Sequence, residues 1–299
     1  YQFTFANGSS HNLAYTIGLS RNNKGTNPIF PMYGSEFSLT GKFTVPYSSF
    51  NKIDYRNLEN LEEYKLKYSA SSGLTATEIN GRSVREGDYI RETTPGSRIY
   101  QVVDTYAQAD ADKAKVDQKK YNWLEYYKIK FKADWYTKIY DKLVLKTSGE
   151  FGYLGAYNQG RGVIPFERFV VGGSGLGGNY QTSAENIQMR GYPDGSLAIG
   201  GSRNGDPIYN KFSLELRYPI TLKQSASIYV LTFAEGAASY GDFKTYNPFA
   251  LQRSAGVGLR VFMPAFGLLG IDFGHGFDAI PGTTEKNGWE THFIIGQQF

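Results

Sequence analysis

The sequence contains no cysteine, which excludes a disulfide scaffold, a thiol nucleophile and cysteine metal sites. It also lacks any apolar run approaching the roughly 18 to 20 residues of a membrane helix. Mean hydropathy is −0.42, so a helical membrane protein is excluded. A membrane β-barrel is not, because lipid-facing and lumen-facing residues alternate along its strands and keep the mean low. Charge is sparse and dispersed, with a net of only +4, and no nucleic-acid partner is expected. The three histidines, His11, His275 and His292, have no metal-ligand spacing and read as wall residues. No G-x-S-x-G elbow occurs, and without a catalytic constellation the chain is not expected to be an enzyme or to need a cofactor or metal. The opening "YQFTFANGSS" has neither the basic start nor the apolar core of a signal peptide, so we expect a processed protein or part of a longer one.

What is abundant is Tyr, Phe and Gly, and these fall in segments of about ten residues with period-two alternation. In "SEFSLTGKFTV", Phe37, Leu39, Phe43 and Val45 oppose Glu36, Ser38, Thr40, Lys42 and Thr44. In "KFSLELRYPI", Phe212, Leu214, Leu216, Tyr218 and Ile220 oppose Ser213, Glu215 and Arg217. In the last segment, Trp289, Thr291, Phe293, Ile295 and Phe299 oppose Glu290, His292, Gly296 and Gln298. A soluble β-sandwich alternates too. Against it, the apolar faces carry aromatics near strand ends, as membrane interfaces require, and the polar faces carry glycine, as in "GIDFGHGF".

About ten strands are expected, near residues 11–21, 34–46, 121–137, 140–156, 165–172, 208–220, 225–238, 251–264, 267–278 and 288–299. The chain therefore divides into strands over 1–50, a polar insertion over 51–120, and further strands over 121–299 with a long loop at 173–207. The insertion lacks clean alternation, and "DTYAQADADKAKVDQKK" within it reads as a short exposed helix or a mobile stretch.

Two motifs fall in the glycine-rich loop. "GGSGLGG" spaces Gly173, Gly175 and Gly178 like a dinucleotide fingerprint, but the following "NYQTSAENIQ" has no apolar helical face to support one. "NIQMRGYPDG" carries a lone arginine, Arg190. If this loop folds into a barrel lumen, the guanidinium needs carboxylate partners, because it stays charged. Glu215 and Glu235 lie on the polar faces of nearby strands, and Phe233 shares the face of Glu235 and offers a cation–π contact. The alternative is an arginine in an exposed extracellular loop.

"MRGYPDG" resembles the VRG(F/Y) signature of the BamA-type outer-membrane assembly superfamily, and "FERFVVGG" precedes it as in that family. "GSEFSLTGKFTVP", "SLELRYP", "FAEGA", "SAGVGLRVFMPAFGLLGIDFGHGF" and "HFIIGQQF" are similar to its neighbouring strands, in the same order. The resemblance covers most of the chain outside roughly 51–120. It implies the C-terminal strands, seven to sixteen, of a sixteen-stranded antiparallel transmembrane barrel in the bacterial outer membrane. POTRA domains and the first strand, half of the family's lateral gate, would then lie outside this chain, and the 51–120 insertion would fall on the periplasmic side. The signature residues are Met189, Arg190, Gly191 and Tyr192, with Met189 in place of valine, and the implied partners of Arg190 are Glu215, Glu235 and Phe233. The closing strand, with Trp289, Phe293, Ile295, Gly296 and Phe299, would form the lateral-gate seam, Gly296 matching a glycine that lets it kink. Unfolded outer-membrane proteins, the lipid bilayer and accessory subunits of an assembly complex are the implied partners. Two other functions remain open: a two-partner-secretion translocator of the same superfamily, and a solute-conducting porin with Arg190 as a constriction charge.

Overall fold

A computed structural model of the protein describes residues 9–72, 75–77, 84–176, 183–201, 204–223, 225–264 and 267–296. Nine long strands form one antiparallel sheet: β1 (Ala14–Asn22), β2 (Gly34–Thr44), β3 (Tyr127–Tyr140), β4 (Leu143–Gly155), β5 (Ile208–Lys223), β6 (Ala226–Tyr240), β7 (Gln252–Met263), β8 (Gly267–Ala279) and β9 (Lys286–Gly296). Each strand pairs with the next in chain order, the simplest antiparallel topology. The all-β architecture agrees with the period-two pattern.

The faces of this sheet reverse the arrangement of a soluble protein. On β5, Ser213, Glu215 and Arg217 are buried while Phe212, Leu214, Tyr218 and Ile220 are exposed. On β9, His292 is buried while Trp289, Phe293 and Ile295 are exposed. In a β-sandwich the apolar face would be the covered one. A sheet that buries its polar side chains and presents Leu, Ile, Val and Phe outward has lipid as its outer solvent. Aromatic residues band both ends of the outer face. Tyr127 and Tyr153 lie 5.7 Å apart and Phe151 and Tyr246 5.8 Å apart at one end, with Trp135, Tyr140 and Tyr218 exposed toward the other.

Among the described residues, nine strands rather than ten build the wall. Residues 165–172, expected as a wall strand, instead contribute Phe169–Val171 to a two-stranded parallel pair with Glu185–Ile187, inside the signature loop. All three residues are buried, so their apolar run signals burial under a loop rather than a lipid-facing strand. The loop accordingly begins well before residue 173, because β4 ends at Gly155 and β5 starts at Ile208.

Removing that strand from the count shifts every earlier strand by one. Connections 141–142, 224–225 and 264–266, all short, leave the sheet at one end together with 23–33. Connections 45–126, 156–207, 241–251 and 280–285 leave at the other. Connection 45–126, which carries the insertion, therefore leaves the sheet at the same end as the connection that carries the signature loop.

The insertion belongs to a second compact unit, comprising 9–13, 45–125 and 156–162, so its borders are wider than 51–120. It has its own core of Tyr55, Leu58, Tyr64 and Val116, and a three-stranded sheet of Thr75–Thr77, Ile90–Glu92 and Ile99–Val102. The helix anticipated in "DTYAQADADKAKVDQKK" forms as Lys113–Tyr121, capped by Asp112, whose carboxylate accepts from the Lys115 N–H at 3.2 Å. A buried Arg161 donates to Glu125 at 2.9 Å and stacks 4.9 Å over Tyr55, tying residues 156–162 to this unit.

The reversed faces make a direct prediction. Leu214→Lys puts a cation on the lipid-facing side of β5 and is expected to destabilise the barrel by about 2–4 kcal/mol, measured by denaturant unfolding from lipid vesicles. An unchanged unfolding midpoint would mean that water, not lipid, covers this face.

The signature loop and its docking site

Residues 163–207 pack against the polar face of the sheet and are fastened at two levels. Nearer the strand ends, wall lysines hold loop carboxylates. Lys42 donates to Glu167 at 2.6 Å, Lys130 to Glu185 at 2.5 Å, and Lys128 pairs with Glu185 at 3.1 Å while donating to the Glu167 carbonyl at 2.9 Å. Register places Lys42 opposite Lys128 on adjacent strands, and Lys130 two residues along, so one inward row carries all three. Lys128 also lies 4.6 Å from the Phe169 ring centroid.

At the tip the charges reverse: the loop supplies the cation and the wall the anions. Arg190 is 2% exposed. Its Nη2 donates to Glu215 Oε1 at 2.7 Å and to Glu235 Oε1 at 2.6 Å, and its backbone N–H donates to Glu235 Oε2 at 3.0 Å. The guanidinium carbon sits 3.8 Å from the Phe233 ring centroid. The structure thus brings Arg190 together with all three residues named for it, and does not expose it in an extracellular loop. Met189 and Tyr192 are fully buried beside it.

Further residues complete the site. Asp272 on β8 lies 3.6 Å from Arg190 Nη1. Each wall acid also keeps a second cation. Glu215 accepts from Arg217, Glu235 pairs with Lys211 at 3.3 Å, and Asp272 holds Arg260 through two bonds of 2.6 and 2.7 Å. Four cations thus face three carboxylates, with no acid left uncompensated in a water-poor setting. Alternation alone contains this signal, since Lys211, Ser213, Glu215 and Arg217 are successive inward positions of β5.

Gly191 carries the tip to the last strand. Its N–H donates to His292 Nε2 at 2.8 Å, and its carbonyl accepts from Asn287 Nδ2 at 2.8 Å, both on β9. The bond to Nε2 requires that nitrogen to be unprotonated, which assigns His292 a specific structural partner rather than a generic wall position. Gly191 adopts φ +83°, and an added Cβ would stand 2.8 Å from Ser254 Cβ. The wall makes matching room: a Cβ on Gly274 would meet the Gly191 nitrogen at 2.7 Å, and one on Gly276 its carbonyl oxygen at 2.6 Å. The inward glycines of "GIDFGHGF" are therefore a cradle for the loop tip. Tyr192 closes the arrangement by donating to the Arg253 carbonyl at 3.0 Å and accepting from the Asp278 N–H at 3.2 Å.

The other named residues fall outside this contact set. Trp289, Phe293 and Ile295 project from the outer face of β9, and Gly296 pairs with Leu268, with no atom within 4 Å of an added Cβ. Phe299 lies outside the described residues, as does Gly178 of the glycine-rich motif. Gly173 bridges Met189 within the loop. Among the described residues no cluster of His, Asp and Glu could hold a metal ion.

Residues 111–299, which include the signature loop and the seven strands after the insertion, match the family model of the Omp85 superfamily domain. The chain belongs to the Omp85 superfamily. Its fold is similar to that of BamA from Haemophilus ducreyi lacking POTRA domains 1–3, with a TM-score of 0.50 and 17% identity. That match covers 94% of this chain and 42% of the BamA chain. No curated protein matches the sequence. The fold is thus that of a BamA-type barrel wall, and this Omp85 chain spans less than half of the length of that BamA chain.

Gly191→Ala tests the cradle. A left-handed alanine costs about 1–2 kcal/mol, and the contact with Ser254 adds about 1–3 kcal/mol of overpacking. We expect a lower heat-unfolding temperature of the barrel and new protease cleavage within 183–201. A variant as heat-stable and protease-resistant as the wild type would show that the tip does not depend on this close approach.

Proposed function

We propose that the protein is an integral outer-membrane barrel that folds and inserts other β-barrel proteins, with β9 as the strand that meets the substrate. One observation carries this reading: the tip of the signature loop is hydrogen-bonded to β9 through both the N–H and the carbonyl of Gly191. The loop therefore sets the position of the strand at the edge of the sheet. A strand edge offers N–H and C=O groups to an incoming strand, and pairing of this kind is β-augmentation. The catalyst needs no covalent chemistry, because an unfolded substrate arriving in a bilayer must satisfy its backbone groups and a templating edge supplies partners at once.

Gly296 supports the same role. A glycine near the end of β9 adds no side-chain packing at the seam and weakens the strand locally. The substrates would be unfolded outer-membrane proteins, with accessory subunits of an assembly complex engaging the rest of the machine. Outer-membrane barrels have short periplasmic turns and longer extracellular loops. On that rule the end bearing 141–142, 224–225 and 264–266 faces the periplasm, and the insertion and signature loop enter from the extracellular end.

The test uses the full-length protein in proteoliposomes, following an unfolded β-barrel substrate by its heat-dependent shift in gel mobility. Arg190→Ala should slow assembly roughly 10-fold or more, the consequence of about 1.4 kcal/mol added to the limiting barrier, with the barrel itself still inserted. Assembly at the wild-type rate would overturn the role of the loop. Export of a soluble polypeptide across the vesicle, with no insertion of the barrel substrate, would instead identify a translocator of the same superfamily.

A further inference from the structure

On β6 the polar face of the sheet gives way to apolar side chains. Tyr229, Leu231 and Phe233 occupy successive inward positions of β6, and all are buried. Their register neighbours are charged: Leu231 lies opposite Arg217 on β5, and Tyr229 opposite Arg260 on β7. An inward apolar row in a water-filled lumen would be costly to leave wet, at roughly 25 cal/mol per Å² of apolar surface. The cover comes from the connection between β1 and β2. Phe30 is 1% exposed and packs with Tyr136, Val144, Tyr229, Leu231 and Phe233, its ring edge-on to Tyr229 at 5.3 Å between centroids. Ile29 and Met32 pack beside it.

The local sequence, "NPIFP", is built to turn inward and stay there. The Asn27 side-chain oxygen accepts from the N–H groups of both Ile29 and Phe30 at 3.0 Å, a local turn of the kind asparagine favours. Pro28 and Pro31 restrict the backbone on either side of the wedge, which lowers the entropy lost on ordering it. A neck bond from the Gly25 N–H to the Tyr33 carbonyl, 3.0 Å, closes the base. The segment enters from the end of the sheet opposite to the signature loop. Beside it lies a cavity of about 410 Å³ whose walls include Lys24, Pro28, Ile29, Asp134, Lys146 and Arg217. Its cations already have acid partners, Lys24 with Glu36 at 2.5 Å and Lys146 with Asp134 at 3.3 Å. The space is therefore a polar passage next to the wedge rather than a site awaiting an anion.

We propose that residues 27–32 are a second lumen plug, closing the barrel from its short-turn end, and that Phe30 is a positioning residue for the signature arginine. The link is Phe233, which packs in the Phe30 cluster and also carries the Arg190 guanidinium on its ring. Two inserted segments, one from each end, share a single aromatic platform on β6. The inference rests on the membrane-barrel reading and goes beyond the assembly role.

The experiment measures ion conductance of the full-length protein in planar lipid bilayers, with heat-dependent gel mobility of the same preparations as the check on folding. Phe30→Ala should raise conductance severalfold, whereas Phe30→Leu, which keeps an apolar wedge, should stay near the wild type. Asn27→Ala frees the turn without hollowing the apolar cluster and should also raise conductance. If Phe30→Ala does not fold, Asn27→Ala decides alone. Wild-type conductance in folded barrels of these variants overturns the plug. Failure of the wild-type protein to form a heat-modifiable barrel would overturn the membrane reading beneath it.

Discussion

A guanidinium withdrawn from water must be matched by charge, and the position of Arg190 makes that requirement organise the structure. Its donors reach acids on the β5–β6 hairpin, with a third on β8 close by, so a single side chain ties that hairpin to a strand further along the chain. The acids do not depend on it alone, since Arg217, Lys211 and Arg260 each stay paired to one of them. The network is thus over-determined: the wall carries a charge-compensated patch, and the loop tip enters as a further cation that fits only where all three carboxylates converge.

The inversion of faces follows from the same arrangement. Polar side chains turn inward because a folded loop, rich in hydrogen-bonding backbone, fills the space that a hydrophobic core would occupy in a soluble sheet. Glycine replaces bulk wherever that backbone comes closest, as at Gly274 and Gly276 against Gly191. The two levels of anchoring have opposite polarity, lysines on the wall near the base and carboxylates on the wall at the tip. A loop inserted the other way round would set like charges against each other at both levels.

Period-two alternation made the strands, their faces and the acid partners of Arg190 legible, because a strand has one rule for side-chain direction and that rule is local. It misread 165–172, since Phe169, Val170 and Val171 look the same in a buried loop strand as in a wall. That single misreading shifts the strand count by one and so alters which end of the sheet the connection 45–126 leaves. The core of the insertion was illegible for another reason: Tyr55, Leu58, Tyr64 and Val116 form no periodic pattern, and only folding brings the helix back to the earlier turns. Asn287 could not be assigned to Gly191 because it falls at an irregularity between Gly276 and Ala279, and His292, in regular register with Asp272, showed its inward face but not its loop partner. The wedge at Phe30 left a trace in "NPIFP", a short connection with too much apolar content for a turn.

The bonds of Gly191 also fix an order of events in the life of the chain. Its partners on β9 lie 96 and 101 residues further along, beyond four strands that must pair first. Contacts of such long range form late, because loop closure has to be met before they give anything back. The Gly191 contacts therefore cannot form until β9 has been added to the sheet. Docking of Arg190 needs only β5, β6 and β8, whereas docking of Gly191 is made only once β9 is in its place.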